Sequence, residues 1–446
     1  MDRTFAPGTL AFVLRVFDFR LSPTPAQERS LEGLLESLRL FYNAALQERR
    51  DDFRRAKEAA LASGDKPKAT VSLSTQEKAV KLIKALCPDY DAIHTHLYQD
   101  VLTRLDKAFQ NFFARRKAGL PGGFPRFKPF GRYHSFTFKD AAHGNGCKLL
   151  GHDEPERKPA GIDRPAFRPL HTPEGPHWRL VAAGKRLYLH GIGKVRIKLH
   201  RPFEGQVKQV RVVKRAGQWF AQLVCDGVAP RPLPATGKTT GIDLGITTFA
   251  TMSDGSEVDN PRLAEAAQPR IRKLQKTVSR RNKGSHRRKK AIGVLARAQA
   301  RVAAQRKQFH HTTAKKIVET YDAVAVEDLN VKGLARGMLA KWVHDVAWSQ
   351  FLDILANKAE RAGRVVERVQ AAGTTQECSG CGEVVRKGLH VRVHRCPWCG
   401  LVLGRDHNAA RNMEKKGRDK AFGERAVVGP SVNREAPASP AGQAGE

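Results

Sequence analysis

The chain has 446 residues, with 79 Lys or Arg against 44 Asp or Glu, and so carries a formal net charge of +35. Its 41% hydrophobic and 28% charged residues exclude a wholly disordered chain, and the length suffices for two or three domains. We find no apolar run of about 18 residues, no secretory signal and no lipidation motif, so we expect a cytoplasmic protein that does not bind membranes. The positive excess predicts an anionic polymer as partner, with nucleic acid the leading candidate.

The first part of the chain predicts one strand followed by helices. Apolar and polar residues alternate over 10–21, which is typical of a half-buried strand. A capping-box sequence at Thr24 then begins a helix with a leucine stripe. Two further helical stretches end at the Gly and Pro cluster 119–125. We therefore expect a strand and a mostly helical block over the first hundred-odd residues.

From residue 132 the pattern changes to strands. Five stretches have strand composition, at 135–139, 186–190, 194–200, 207–214 and 219–225. Between the first two, residues 144–176 are rich in Pro, Gly and charge without a period, and predict a surface loop. The stretch 194–200 places basic residues on one face, where they could contact phosphate, although a solvated sheet face is the commoner explanation.

Beyond a proline-containing linker at 230–238, two apolar stretches flank a strongly basic one. Residues 241–251 and 323–327 predict buried strands, whereas residues 270–316 hold 17 Lys or Arg and no Asp or Glu. Helical spacing in the basic stretch breaks at 282–285, which predicts a pair of helices. Because exposed helices normally use acidic residues for i,i+4 pairs, this composition favours nucleic-acid contact over a solvated face. A helix over 339–362 and a strand over 364–369 follow.

Four of the seven cysteines have the spacing of metal ligands. Cys378, Cys381, Cys396 and Cys399 form two C-x2-C pairs separated by fourteen residues, with a glycine after each pair. Each pair can form a tight turn, and four thiolates complete the tetrahedral shell of zinc. Two chance pairs or a redox motif are the alternative. Since all four positions are filled by protein, the pattern predicts a structural zinc.

Three carboxylates occupy positions that suggest chemistry. Asp243 lies inside an apolar strand, where an ionised group is costly unless it is paired or binds a cation. Glu327 ends the second apolar strand, and Asp406 begins the helical run after the cysteines. Brought together, they would bind Mg²⁺, and two such ions about 3.5–4 Å apart can cleave a phosphodiester. Singly, Asp406 is more often a helix N-cap, Glu327 a partner of arginine, and Asp254 a turn residue.

Four motifs occur in the order found in a known nuclease family. They are Gly-Ile-Asp-Leu-Gly at 241–245, Val-Glu-Asp-Leu-Asn-Val at 326–331, the four cysteines, and Asp-His-Asn-Ala-Ala-Arg-Asn at 406–412. In this order they resemble the split RuvC-like nuclease of the TnpB family. Its members are transposon-encoded RNA-guided DNA endonucleases related to type V CRISPR effectors. Residues 105–138, with Phe-Pro-Arg-Phe at 124–127, are also similar to this family.

The resemblance implies roles and a fold. Asp243, Glu327 and Asp406 would be the catalytic acids that bind two Mg²⁺ ions, and the four cysteines would bind one Zn²⁺. The implied fold class is multidomain α/β plus β: a wedge-like β-barrel interrupted by a helical recognition block, followed by an RNase H-like (RuvC) domain interrupted by a zinc ribbon. The implied bounds are 1–22 for the first barrel strand, 23–125 for the helical block, 126–235 for the remaining barrel, 236–372 and 404–416 for the nuclease, 373–403 for the ribbon, and 417–446 for a disordered tail.

The same resemblance implies partners, and two alternatives stay open. The partners would be a guide RNA from the transposon end and double-stranded target DNA beside a short target-adjacent motif, bound by a monomer. The alternatives are an RNA-guided regulator that does not cut and a transposase that acts directly on transposon ends. Carboxylates at all three matching positions weigh against the regulator. The insert 144–176 departs from the family pattern and leaves the barrel's loops unpredicted.

Overall fold

The structure is a computed structural model that describes residues 13–150, 167–172, 175–180, 186–329, 331–334, 337, 340–370, 373–388 and 390–418. The chain divides into two compact units, residues 1–229 and 230–446. The predicted disordered tail falls outside the described residues from residue 419 onwards. No helix within the described ranges is long and apolar enough to cross a lipid bilayer.

The first unit is a curled antiparallel sheet with a block of helices. Its elements are β1 (Val13–Ser22), α1 (Pro25–Ser63), α2 (Leu73–Leu86), α3 (Pro88–Asp91), α4 (Thr95–Lys117), β2 (Ser135–Phe138), β3 (Cys147–Leu150), β4 (Phe167–Thr172), β5 (Gly175–Leu180), β6 (Arg186–Leu189), β7 (Gly193–Lys198), β8 (Gln206–Arg215) and β9 (Gln218–Val228). Seven strands form one sheet in the order β2-β8-β9-β1-β7-β6-β3. A side chain at Gly146, just before β3, would lie 2.8 Å from the Phe138 ring of β2. The two edge strands therefore approach each other, and the sheet is a nearly closed barrel.

The predicted start of this unit is confirmed. Phe19 and Leu21 of β1 are buried, as the alternation predicts. Thr24 accepts a hydrogen bond from the Gln27 N–H, and the Gln27 side chain accepts one from the Thr24 N–H, so the capping box begins α1. Leucines of α1 and α4 share one hydrophobic core with the inner faces of β1 and β9. Burying each such leucine stabilises the unit by about 1.5–3 kcal/mol.

The prediction of a loop over 144–176 is wrong for the residues of β3, β4 and the start of β5. Cys147 of β3 pairs with Leu189 of β6, and both side chains are fully buried. With four residues, β3 is too short to give a clear alternation. In the β4–β5 hairpin Pro169 pairs with Trp178. A proline in a sequence argues against predicting a strand there, because proline lacks the N–H that a strand donates. A two-stranded hairpin tolerates it, since both of its strands are edges.

The second unit is built on a mixed sheet. Its elements are β10 (Thr239–Leu244), β11 (Thr248–Met252), β12 (Glu257–Asp259), α5 (Leu263–Ser279), α6 (His286–Thr320), β13 (Ala323–Glu327), α7 (Val331–Leu334), α8 (Ala340–Val346), α9 (Trp348–Arg361), β14 (Val365–Val369), β15 (Val393–Arg395), β16 (Val402–Gly404) and α10 (Arg405–Gly417). Five strands have the order β12-β11-β10-β13-β14, and β10, β13 and β14 are parallel. The carboxyl ends of these three strands therefore meet at one edge, where ligands of such sheets bind.

In two places of this unit, the sequence predicts one continuous element and the structure has two. Residues 241–251, predicted as one strand, form β10 and β11, because the Gly245 N–H donates to the Phe249 carbonyl at 3.2 Å and closes a turn. A side chain at Gly245 would lie 2.6 Å from the Thr248 carbonyl oxygen, so this turn requires glycine. The helix predicted over 339–362 is divided into α8 and α9 at Ala347, whose φ of 52° is left-handed.

The opposite, amino-terminal edge of the parallel strands is held by Asp322. Its carboxylate accepts the N–H groups of Thr236 and Gly237, at 2.9 and 2.7 Å, and pairs with the buried Arg364. Arg364 also donates to the Pro234 carbonyl at 2.6 Å. Burial opposes ionisation, but these donors and the guanidinium hold the pKa of Asp322 below its usual value. The predicted linker 230–238 is thus fastened to the sheet over part of its length.

The close approach of α10 to β10 gives a stability test. A Cβ at Gly241 would lie 2.0 Å from the Ala410 oxygen and 2.4 Å from the Glu414 nitrogen. Because both obstacles are backbone atoms, we expect Gly241→Ala to destabilise the second unit by about 3 kcal/mol or more, at the upper end for overpacking. The melting temperature and hydrogen exchange over 405–417 measure this effect. Gly293→Ala is the control, since its nearest neighbour is the end of the Arg297 side chain at 3.5 Å. Equal melting temperatures for the two variants would contradict the close packing.

Candidate metal and active sites

The four cysteines form one cluster. Their Sγ atoms all lie within 4.8 Å of one another, with Cys378 3.6 Å from Cys399 and Cys381 3.5 Å from Cys396. These distances exclude disulfides, whose sulfurs are about 2.05 Å apart. They approach the roughly 3.8 Å expected between sulfurs that each bind a tetrahedral zinc at about 2.3 Å. The residues therefore fit one zinc ion.

The glycines after each cysteine pair shape the site. The Gly382 N–H donates to the Cys378 carbonyl at 2.9 Å, and the Gly400 N–H donates to the Cys396 carbonyl at 3.0 Å. Both glycines have left-handed backbones, with φ of 84° and 73°. Other residues rarely adopt this conformation, so glycine allows each turn to direct two thiolates at one point. We call residues 373–404 the cysteine module.

The structure brings the three predicted acids to one edge of the mixed sheet. Asp243 is the next-to-last residue of β10, and Glu327 is the last residue of the adjacent parallel strand β13. Their preceding residues, Ile242 and Val326, pair in register. Asp406 lies in the first turn of α10, the helix that packs on β10. Acids that are distant in sequence thus meet where the parallel strands end.

These carboxylates interact electrostatically. Burial raises the pKa of Asp243 to about 7, and the negative charges of Asp406 and Glu327 add to this effect while Arg405 opposes it. Burial also raises the pKa of Glu327. Burial and the neighbouring negative charges both disfavour the ionised carboxylates, and a bound cation would remove that penalty. The donor set is oxygen only, which suits Mg²⁺.

The acids are spread more widely than the ligands of a single ion. Within the described ranges, the cysteines are the group in which three or more ligand atoms all lie within 4.8 Å of one another. A site that shares two ions about 3.5–4 Å apart spans a greater width than that. Arg405, which the sequence did not indicate, contacts the Asp406 Oδ1 through Nη2 at 2.9 Å and Nε at 3.0 Å.

Two other carboxylates near these strands have structural roles. Asp328 is exposed and lies 3.6 Å from Arg368, so of the two adjacent acids Glu327 is the one whose charge acts on Asp243. Asp254 accepts the Ser256 N–H at 2.9 Å, which is the turn role that the sequence predicts. The Tyr321 hydroxyl also donates to Asp254, at 2.5 Å.

Two asparagines join the cysteine module to α10. Asn408 accepts the Ser379 N–H at 2.9 Å and donates to the Glu377 carbonyl at 2.7 Å. Asn412 donates to the same carbonyl at 2.7 Å, and both asparagines are buried. The helix that carries Asp406 is therefore hydrogen-bonded directly to the first cysteine pair. Sequence analysis missed these roles, although the i,i+4 spacing of the asparagines was the available signal.

The basic stretch forms the predicted helix pair, α5 and α6. No residue of α5 is buried, and the buried residues of α6 begin at Val302. Asp345 binds both helices, since it accepts the Ala264 N–H at 3.2 Å and contacts Arg306 at 2.8 Å. Apart from the half-buried Arg288, the cations between residues 270 and 301 thus lie on exposed surface, and Asp345 of α8 holds the helix pair at its base.

Comparisons with known proteins identify the family. Family models match residues 13–58 ("Helix-turn-helix domain"), 222–338 ("Probable transposase") and 348–413 ("Cas12f1-like, TNB domain"). A relative from Streptomyces pristinaespiralis, named as an RNA-guided DNA endonuclease, is 31% identical over 409 residues, which cover 90% of this chain and 89% of that protein. The chain belongs to the TnpB family. A similarly named protein of Escherichia coli K12 is 24% identical over 90% of this chain and 91% of its own length.

A solved structure also aligns with this TnpB-family chain. The Cas12f1–sgRNA–target DNA complex contains a chain that is 11% identical, with a TM-score of 0.49, over 90% of this chain and 99% of its own length. The description of one matched family model does not agree with the secondary structure of the residues that it matches. The residues matched as helix-turn-helix form β1 and the single long helix α1.

The asparagine anchor gives a prediction about the cysteine module. Asn408→Leu removes one donor and one acceptor but keeps the branched side-chain shape. It leaves the Ser379 N–H unpaired and the Glu377 carbonyl with Asn412 as its remaining side-chain donor. We expect destabilisation of about 1–3 kcal/mol and faster proteolysis within 373–417, with one zinc per chain retained. Arg411→Ala, at an exposed position of the same helix, is the control and should behave as wild type. Unchanged proteolysis of Asn408→Leu would argue against the anchor.

The raised pKa of Asp243 gives a pH prediction for the protein without added Mg²⁺. The folded state holds a proton up to about pH 7, whereas the unfolded chain releases it near 3.8. The contribution of Asp243 to the free energy of unfolding is therefore fully present below pH 4. It is lost as the pH rises through 7, and the loss is at most about 4 kcal/mol.

Asp243→Asn removes this loss. Its melting temperature should exceed that of wild type at pH 8, by a margin that shrinks towards pH 5. Asp328→Asn, at an exposed position, should show no such trend. A pH-independent difference between Asp243→Asn and wild type would contradict the raised pKa of Asp243.

Proposed function

We propose that this chain is an RNA-guided DNA endonuclease of the RuvC-like type that hydrolyses phosphodiester bonds with two Mg²⁺ ions. The observation that carries the proposal is the meeting of Asp243, Glu327 and Asp406 at the carboxyl edge of the parallel strands. Family membership and the names of the relatives support the reaction class. All three acids come from one chain, which supports a monomer as the catalytic unit.

Each acid has a defined part in this mechanism. Asp243, on the central strand, would hold the divalent ions together with Glu327 and Asp406, because its carboxylate interacts electrostatically with both of theirs. Glu327 and Asp406 would add their carboxylate oxygens to the same donor set. Bound there, two divalent ions supply an activated water and stabilise the leaving oxygen of the phosphodiester. Arg405, beside Asp406, places a positive charge at the same edge and would attract the phosphate.

The helix pair α5 and α6 would hold the nucleic-acid backbone. Its seventeen Lys or Arg without a single acid between residues 270 and 316 suit the regular phosphates of a duplex. RNA pairing would select the sequence, so the protein needs shape and charge more than base-reading side chains. We infer that the guide derives from the transposon end and that a short target-adjacent motif licenses cutting, as the family resemblance implies.

The two alternatives differ from cutting in their products. The purified chain with its copurified RNA is incubated with a plasmid that carries a matching sequence, with and without Mg²⁺. Linear plasmid that requires both Mg²⁺ and the match supports the endonuclease. A shifted but intact plasmid would support a non-cutting regulator, and joined strands would support a transposase. Sequencing the copurified RNA identifies the guide.

Asp243 and Asp328 provide a matched pair for the catalytic assignment. Asp243→Ala should reduce cleavage by at least about a hundredfold, since losing even an outer partner of a catalytic metal costs 10- to 100-fold. Binding of RNA and DNA should stay within about twofold of wild type, because the helix pair makes those contacts. Asp328→Ala, next to Glu327 in sequence but paired with Arg368, should cut as wild type does. Equal loss of binding and cleavage in Asp243→Ala would contradict a catalytic role.

A further inference from the structure

The loop after α4 exposes an aromatic group that the acid site does not use. Phe124 and Phe127 in this loop are 43% and 40% exposed. The guanidinium of Arg50, from α1, lies over both rings, 5.8 Å from the centre of Phe124 and 5.0 Å from that of Phe127. We call these three residues the stacking platform, because they present neighbouring planar groups to solvent.

The platform is held in place before any partner binds. The backbone of Lys128 is fixed to α1, because its N–H donates to Asn43 at 2.8 Å and its carbonyl accepts from Asn43 at 3.0 Å and from Arg39 at 2.8 Å. The Phe124 ring packs edge to face against two phenylalanines of α4, both at 5.4 Å. Exposed rings on an anchored loop lose little conformational entropy when they bind a ligand.

The charges around the platform indicate the chemistry of the partner. Residues 112–128 include five Lys or Arg and no Asp or Glu. Among the acids of the adjacent helices, Asp106 contacts Arg49, and Asp52 accepts the N–H groups of Thr70 and Val71. Within the described residues Arg50 has no ion pair, so its charge is available.

Exposed aromatic faces alone would suit an apolar protein partner or a lipid surface. Here the rings alternate with cations along the loop, and a cation already lies over each ring. Single-stranded nucleic acid has the matching pattern, with flat bases that stack on rings and guanidinium groups and phosphates that pair with the cations. Stacking needs no particular base, which suits a protein whose sequence selection is made by RNA pairing.

We propose that the stacking platform binds unpaired nucleobases of a nucleic-acid strand, with the flanking Lys and Arg on its phosphates. The strand is either the guide RNA or an unpaired strand of the DNA target, and the two share this chemistry. The identity of the strand rests on the proposed function, whereas the stacking itself does not require the acids or Mg²⁺.

Phe127 is the residue to substitute, because its ring contacts the Arg50 guanidinium and is not part of the hydrophobic core. Fluorescence anisotropy of the full chain, without Mg²⁺ and at fixed salt, gives the affinity for oligothymidylate, oligouridylate and an abasic strand of equal length. We expect Phe127→Ala and Phe127→Leu to weaken binding of the base-bearing strands about tenfold. Phe127→Tyr should stay within about twofold of wild type, and binding of the abasic strand should not change in any variant.

Phe130→Ala is the matched control, since Phe130 is 81% exposed and, among the described residues, no cation lies over its ring. Melting temperatures equal to wild type verify that the Phe127 variants are folded. The RNA and DNA arms show which strand the platform prefers. Retained affinity in Phe127→Leu, equal losses for abasic and base-bearing strands, or an equal loss in Phe130→Ala would each overturn the proposal. So would binding of anionic lipid vesicles that depends on Phe127 when binding of the strands does not.

The outcome is separable from that of the proposed function. Mg²⁺-dependent cleavage with no base-dependent binding at Phe127 would reject the platform alone. Base-dependent binding at Phe127 in a chain that never cuts a matched plasmid would reject the nuclease alone. Asp243→Ala should bind all three strands as wild type does.

Discussion

The contact between α10 and β10 is the constraint on which the candidate active site depends. Gly241 leaves room for the Ala410 carbonyl, so the helix lies directly on the strand that carries Asp243. One short helix therefore positions Asp406 through its first turn and binds the cysteine module through its asparagines. A displacement at Gly241 would move all of these groups together.

On the proposed function, this arrangement would give the four cysteines a part in catalysis without contact with substrate. The thiolates of the module fix two tight turns, and the backbone of the first turn holds Asn408. Metal ligation stabilises such small modules directly, because the complete site exists in the folded chain and not in the unfolded one. A zinc ion bound by the cysteines would therefore be coupled to the position of Asp406 through the side-chain hydrogen bonds of Asn408 and Asn412. The opposite edge of the sheet has its own anchor in the pair of Asp322 and Arg364.

Much of this organisation could be predicted from the sequence, because it arises from local patterns. Strand alternation, the capping box, the helix pair and the cysteine spacing each involve residues close together in the chain. The turn at Gly245 and the break at Ala347 could not, since apolar composition continues through both. The three acids were predicted through their motifs. The i,i+4 spacing of the asparagines does not reveal the distant backbone that they bind, and the position of Arg405 next to Asp406 does not reveal that their side chains contact each other. The contact of Arg50 with Phe124 and Phe127 joins a helix to a distant loop, and spacing alone could not predict it.

The hydrogen bond between Thr239 and Glu414 joins residues 175 positions apart in the chain. Contacts of such long range form late in folding, because closing the intervening loop costs entropy before any packing is gained. A chain synthesised as far as β14 contains all five strands of the mixed sheet and two of the acids, yet it lacks the helix that supplies the third. If the three acids cut DNA together as proposed, cleavage would have to wait until synthesis has passed the last motif, and a prematurely terminated product would leave the genome that encodes it intact.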